Sequence, residues 1–117
     1  MASAVGVAVL DVLEEEGCQE VCRDVGTYLL EKLVALVDST RIVGDVRGKG
    51  LMIGIEMVVD KTSKTPLPAD KMMDVWEMTK EGGVLLGKGG YYGNVFRIKP
   101  PMCITKQFKC PRIVGRN

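Results

Sequence analysis

Residues 42–58 read Ile42-Val43-Gly44-Asp45-Val46-Arg47-Gly48-Lys49-Gly50-Leu51-Met52-Ile53-Gly54-Ile55-Glu56-Met57-Val58. Within this stretch the apolar residues fall into a period of two, which is the period of a pleated strand. In residues 51–58, Leu51, Ile53, Ile55 and Met57 share one face, and Met52, Gly54, Glu56 and Val58 share the other. Residues 42–47 make the partner strand. The run Arg47-Gly48-Lys49-Gly50 between them reads as a glycine-rich hairpin turn.

On either side of the hairpin the period changes to that of a helix. Upstream, residues 3–16 place Ala4, Val5, Ala8, Val9, Val12 and Leu13 at helical spacing, with Ser3 as the expected cap and Gly17 as the left-handed stop. Residues 19–37 form a second helix, whose expected inward stripe is Val21, Val25, Tyr28, Leu29, Leu33, Leu36 and Val37. Downstream, residues 59–69 form a loop with Pro66 and Pro68. A third helix covers residues 69–81, with Met72, Val75, Trp76 and Thr79 facing inward, and Gly82-Gly83 ends it. Short strands are expected at 84–86 and 95–98, joined by a glycine-rich loop over 87–94. Pro100-Pro101 stops the last strand. Thr105 reads as the cap of a helix that Pro111 interrupts. This order predicts an α+β fold: a small, mostly antiparallel sheet with helices on one face.

The chain has 117 residues, enough for one small domain. Hydrophobic residues are 46% and charged residues 26%, which suits a globular core and argues against disorder. A net charge of +1 gives no argument for nucleic acid or membrane partners. Residues 1–38 hold eight acids and two bases, whereas six bases and no acid follow from Arg97 onward. These read as solvated faces, with an anionic partner for the basic end as the alternative. No apolar stretch reaches the roughly 18–20 residues that span a bilayer. The first residues make a poor signal or transit peptide, so any organelle address is expected outside this stretch.

The absence of histidine removes imidazole catalysis and His-based metal sites. Cys18 and Cys22 share a helix face, but with Cys103 and Cys110 they form no CxxC pair, so all four read as reduced thiols. Met52, Met57, Met72, Met73, Met78 and Met102 read as core filler rather than a soft-metal groove. The glycines at 87, 89, 90 and 93 satisfy neither phosphate-binding fingerprint. Position 92 is Tyr, Gly89 follows Lys88, and a strand rather than a helix comes next. That loop is then a mobile flap or a backbone that approaches something closely.

The stretch Val95-Phe96-Arg97-Ile98-Lys99-Pro100-Pro101 places an arginine inside a short apolar strand. A guanidinium there has two readings. It grips a carboxylate through parallel hydrogen bonds, or it forms a structural ion pair, with Glu56 on a neighbouring strand as the candidate.

Residues 44–56 together with Phe96-Arg97-Ile98-Lys99-Pro100-Pro101 resemble the C-terminal small domain of class III pyridoxal-phosphate-dependent aminotransferases, a fold-type I group, and residues 45–68 with residues 100–105 are most similar to its mitochondrial alanine–glyoxylate type. The resemblance covers residues 2–106. It divides the chain into a helix leading in from a large domain (1–16), the small domain (17–106) and a divergent basic tail (107–117). It implies that Arg97 binds the substrate carboxylate, and that Gly48 and Gly50 serve tight turning near a domain interface. It further implies a homodimer acting on a small amino acid and a 2-oxo acid in mitochondria. The Schiff-base lysine is then neither Lys49 nor Lys88 but belongs to the large domain. Residues 107–117 carry Pro111 and no helical stripe where the family continues into a helix, which reads as an altered or truncated end.

Under that resemblance no catalytic and no cofactor-binding residue lies in this chain, no metal is involved, and the chain alone is expected to be inactive. Two other readings stand beside it. One is a non-enzymatic α+β module that binds a carboxylate or a partner; the other is a non-functional truncated product.

Overall fold

The computed structural model describes residues 1–106, so the tail at 107–117, with Cys110 and Pro111, lies outside the described residues. Three helices and four strands follow in the order α1 (Ala2–Glu15), α2 (Cys18–Ser39), β1 (Val43–Lys49), β2 (Met52–Met57), α3 (Ala69–Glu81), β3 (Gly87–Gly89) and β4 (Val95–Ile98). The strands form one sheet in the order β1-β2-β4-β3, and every neighbouring pair is antiparallel. The expected α+β architecture is therefore present.

The core lies on one face of the sheet. Val46, Ile53, Ile55, Met57 and Phe96 pack there with Leu33 of α2 and Met72 of α3. Leu29, Leu36, Val37, Val75 and Trp76 extend the cluster from the same two helices. The bounds of α3 coincide with the expected ones, because its apolar stripe and its glycine stop agree with each other. Gly17 has a φ of 59° and breaks the chain between α1 and α2, as expected.

Several expectations need correction. Ser3 caps nothing: α1 starts one residue earlier, with Met1 at the cap position and no side-chain hydrogen bond. The hairpin turn lies at Gly50-Leu51 rather than over 47–50, because Arg47, Gly48 and Lys49 continue the ladder opposite Gly54, Ile53 and Met52. Gly50 alone takes the left-handed conformation, with a φ of 58°, that a two-residue hairpin turn requires at its first position. Gly48 is thus a strand residue, and a Cβ on it would stand 2.3 Å from the Met52 carbonyl oxygen.

Residues 84–86 do not pair as a strand. The Leu86 carbonyl accepts a 2.7 Å hydrogen bond from Trp76 Nε1, and the ladder begins at Gly87, three residues after the expected start at Val84. Tyr28 is exposed at the side of α2, with Lys32 and Lys106 near its ring. Only Met57 and Met72 of the six methionines named above are core residues; Met52, Met73, Met78 and Met102 are exposed. Val58, expected on the open face, is buried. Gly44, where the β1 register shifts, leaves room for it, since a Cβ there would stand 2.8 Å from Val58 Cγ1, and Val58 donates its N–H to the Ile42 carbonyl.

One fold determinant was not expected from the sequence. Asn94 is buried, and its Nδ2 donates to the Met57 carbonyl at 2.8 Å while its own carbonyl accepts from Met57 N–H at 2.8 Å. Asn94→Ala removes the first bond and is expected to cost about 1–3 kcal/mol. Urea unfolding checks this, with a lower midpoint at unchanged slope as the expected result.

Candidate functional site

The sheet face opposite the helices carries the site. Along β4, Phe96 turns into the core, so alternation sends Val95 and Arg97 to the open face. The register then sets their neighbours. Arg97 stands beside Gly54 on β2 and Gly87 on β3, and Gly54 in turn faces Arg47 on β1. In the next row Asp45, Glu56, Val95 and Gly89 lie side by side. Two arginines and two acids thus share one face, with glycines between and beside the arginines.

The acids are used by only one of the arginines. Arg47 Nη1 donates to Glu56 Oε2 at 2.7 Å and to Asp45 Oδ2 at 2.9 Å. The hydrogen bond to Glu56, then the one to Asp45, raises the Arg47 pKa and holds the guanidinium charged. Arg97 has no acidic partner among the described residues. Its polar contact is a 3.4 Å hydrogen bond from Nη2 to the Lys88 carbonyl. The ion pair considered for Glu56 and Arg97 therefore forms with Arg47 instead.

Arg97 lies along β3. A Cβ placed on Gly89 would meet its Nε at 3.2 Å, and one on Gly87 would meet Nε at 3.5 Å. Of the two readings of the glycine-rich stretch, close backbone approach is the one with a visible partner, and that partner is Arg97. Beyond β3, Tyr91 and Tyr92 are exposed and pack edge to face on each other, with centroids 4.9 Å apart. The arrangement offers a guanidinium fork on an open face, without a counter-ion among the described residues. Such a fork matches the two oxygens of a carboxylate.

The described residues do not fit pyridoxal phosphate by themselves. Lys88 Nζ lies on the helix side of the sheet, 4.9 Å from the centre of the Trp76 ring and 3.5 Å from Met73 Sδ. Lys49 lines an apolar groove together with Leu13, Cys18, Cys22, Gly50 and Met102, with no carboxylate in its lining. A second groove against α1 contains Glu16 but no lysine. Neither groove pairs an amine with the acid that a pyridine nitrogen requires. The thiols of Cys18, Cys22 and Cys103 are free, and no metal-binding cluster exists among the described residues. No described helix is long and apolar enough to cross a membrane.

Comparison with known proteins gives one consistent answer. The model of the family described as Aminotransferase class-III matches residues 1–110. Mitochondrial alanine–glyoxylate aminotransferase 2 of Homo sapiens is 55% identical over 106 residues, which are 91% of this chain and 21% of the human protein. Mitochondrial alanine–glyoxylate aminotransferase 2 homolog 2 of Arabidopsis thaliana is 52% identical, over 91% of this chain and 22% of the plant protein. The chain thus spans about a fifth of the length of these curated relatives. Among solved structures, a Bacillus anthracis aminotransferase superposes with a TM-score of 0.81 at 36% identity, over 88% of this chain and 24% of that one. An amine transaminase from an uncultivated Pseudomonas species, solved in its pyridoxal-phosphate-bound form, gives 0.75 at 37% identity, over 85% of this chain and 22% of that one. The chain belongs to the class III aminotransferases.

Proposed function

We propose that this chain is the substrate-carboxylate-binding small domain of a pyridoxal-phosphate-dependent transaminase, and that Arg97 is its binding residue. In this reading the complete enzyme moves an amino group from an alanine-type donor to a glyoxylate-type 2-oxo acid. The names of the human and plant relatives support that substrate pair and a mitochondrial setting. Residues 1–16 form the lead-in helix, and 17–106 form the domain. The homodimer implied by the resemblance belongs to the complete enzyme.

The observation that carries the reading is a guanidinium with no acidic partner among the described residues. Arg97 stands on the open face while Arg47, two strands away, takes both nearby acids. An exposed arginine binds a carboxylate weakly, because water screens the pair. Covering the face lowers the local dielectric and strengthens the same contact severalfold. In the complete enzyme the remaining polypeptide supplies that cover. Further apolar surface awaits it on α1, where Val5, Val7 and Leu10 are exposed and no residue is buried.

The cofactor, when bound to the complete enzyme, supplies the electron sink and carries the amino group. The contribution of this chain is orientation. Two parallel N–H···O bonds from Arg97 fix the carboxylate plane and so the direction of the neighbouring carbon. Holding a reactant in one geometry is a large share of what an enzyme does. Orientation without an amine base, however, transfers nothing.

A mixing experiment tests this division of labour. The purified chain, given pyridoxal phosphate and L-alanine, is expected to form no pyruvate and to show no substrate-responsive change in cofactor absorbance. Pyruvate formation at a rate above that of free cofactor would show that the chain contains its own catalytic site.

A further inference from the structure

We infer that Gly89 is a positioning residue: by lacking a side chain it sets where the Arg97 guanidinium rests, and with it the affinity for carboxylate-bearing substrates. The inference rests on the reading of Arg97 as the carboxylate-binding residue and extends it to a second position.

The backbone does not require glycine at 89. Gly17, Gly50, Gly83, Gly90 and Gly93 have positive φ, whereas Gly87 and Gly89 do not. Both sit in regular antiparallel pairing with β4, Gly87 opposite Arg97 and Gly89 opposite Val95. A strand residue in that conformation accepts alanine at least as well as glycine. The demand comes from the open face instead. The three heavy atoms nearest to an ideal Cβ on Gly89 all belong to Arg97: Nε at 3.2 Å, Cδ at 3.5 Å and Cζ at 3.5 Å. The three nearest to a Cβ on Gly87 also belong to Arg97, at 3.5 to 3.6 Å.

Gly87 and Gly89 therefore form a bare shelf along which the arginine lies, and the Lys88 carbonyl between them receives its Nη2. On the other flank Gly54 also leaves Arg97 without a side-chain neighbour in its row. A methyl group at 89 presses on the guanidinium's own Nε, one of the atoms that set the plane of the fork, while Cδ and Cζ stay at ordinary packing distance. The shift is a few tenths of an ångström, which a two-point contact with a carboxylate registers and a single charge does not. At 87 the contact stays at ordinary packing distance and the shift is smaller.

The test uses the full-length, cofactor-loaded aminotransferase that carries this domain. Its probe is propionate, which has the carboxylate of alanine and no amine to react. Calorimetric binding is measured for wild type, Gly89→Ala, Gly87→Ala, Arg97→Ala and the double variants Gly89→Ala/Arg97→Ala and Gly87→Ala/Arg97→Ala, each checked by thermal melting. Gly89→Ala is expected to weaken propionate roughly 3- to 10-fold without lowering the melting temperature, and Gly87→Ala to weaken it less. Once Arg97 is alanine, the change at 89 is expected to have no further effect. If Arg97→Ala leaves propionate binding intact, the carboxylate reading itself fails. If Arg97→Ala weakens binding but Gly89→Ala does not, the positioning role is overturned and the carboxylate reading stands. An equal loss from Gly89→Ala with and without Arg97 also overturns it, since the glycine then acts through the fold. Should Gly89→Ala not fold, Gly87→Ala decides: a loss that vanishes in the Arg97→Ala background supports the shelf, and no loss, or one that persists there, contradicts it.

Discussion

Gly26→Ala is expected to unfold the domain or leave it barely stable. Gly26 is buried in the first half of α2, where the helix crosses the hairpin turn. A Cβ there would stand 2.0 Å from the Gly50 carbonyl oxygen, 2.3 Å from its carbonyl carbon and 2.9 Å from its Cα. All three are backbone atoms, so no side chain can swing away. Relief requires α2 to withdraw from the turn by more than 1 Å, since ordinary contact begins at 3.4 Å. That movement separates Leu33 from Val46, Ile53 and Ile55 across the core. Alternatively the turn itself must shift, and Gly50 already holds the left-handed conformation that lets β1 pair with β2. Overpacking of this kind costs about 3 kcal/mol or more, a large part of the 5–15 kcal/mol that holds a typical domain together. Thermal melting checks it, with a drop on the order of 10–20 °C expected. Gly6→Ala is the matched control. Nothing lies within 4 Å of a Cβ at that position, so the exchange in exposed α1 is expected to be neutral or to stabilise by up to about 1 kcal/mol.

Arg97→Ala in the complete enzyme is expected to lower kcat/KM for L-alanine by on the order of 10²-fold while the fold holds. Truncating one side of a covered charge pair costs about 2–5 kcal/mol, and each 1.4 kcal/mol is a factor of ten. Arg97→Lys keeps the charge but replaces a flat two-pronged donor by a point charge on a flexible stem. It is expected to recover part of the loss, to about 10-fold below wild type. Stability should move little in either variant. Arg97 forms no ion pair among the described residues, and its 3.4 Å bond to the Lys88 carbonyl is long. Equal affinity with a lower melting temperature would instead make Arg97 a fold residue.

How far residues alone reveal such a site depends on which interactions are local. The bounds of α3 were legible because one apolar stripe and one glycine pair define them. The inward row Leu51, Ile53, Ile55 and Met57 was legible because a half-buried strand alternates. Alternation also places Arg47, Glu56 and Arg97 on one face. It does not say which arginine takes the acid, since both strands flank β2 and only register and rotamer decide.

The turn was displaced for a similar reason. Four residues at 47–50 include two glycines, and only the ladder reveals that Gly48 pairs while Gly50 turns. Gly26 offered the faint signal of a glycine inside a helix, but its partner lies 24 residues away in the chain and is invisible without tertiary packing. Asn94 lay in the expected glycine-rich loop and was given no role of its own. Its buried bond to Met57 depends on β2 passing beneath it. The role proposed for Arg97 came from resemblance alone; the geometry adds that it has no acidic partner among the described residues and that it lies along two glycines.

The most direct test of that role is structural. The complete, cofactor-loaded enzyme is crystallised with propionate, and the contacts of the bound carboxylate are measured. The account predicts two N–H···O bonds of about 2.7–2.9 Å from the Arg97 guanidinium to its two oxygens, with Arg47 still held by Glu56 and Asp45. A carboxylate held by other groups, with Arg97 paired to an acid from the rest of the enzyme or directed into solvent, would contradict it.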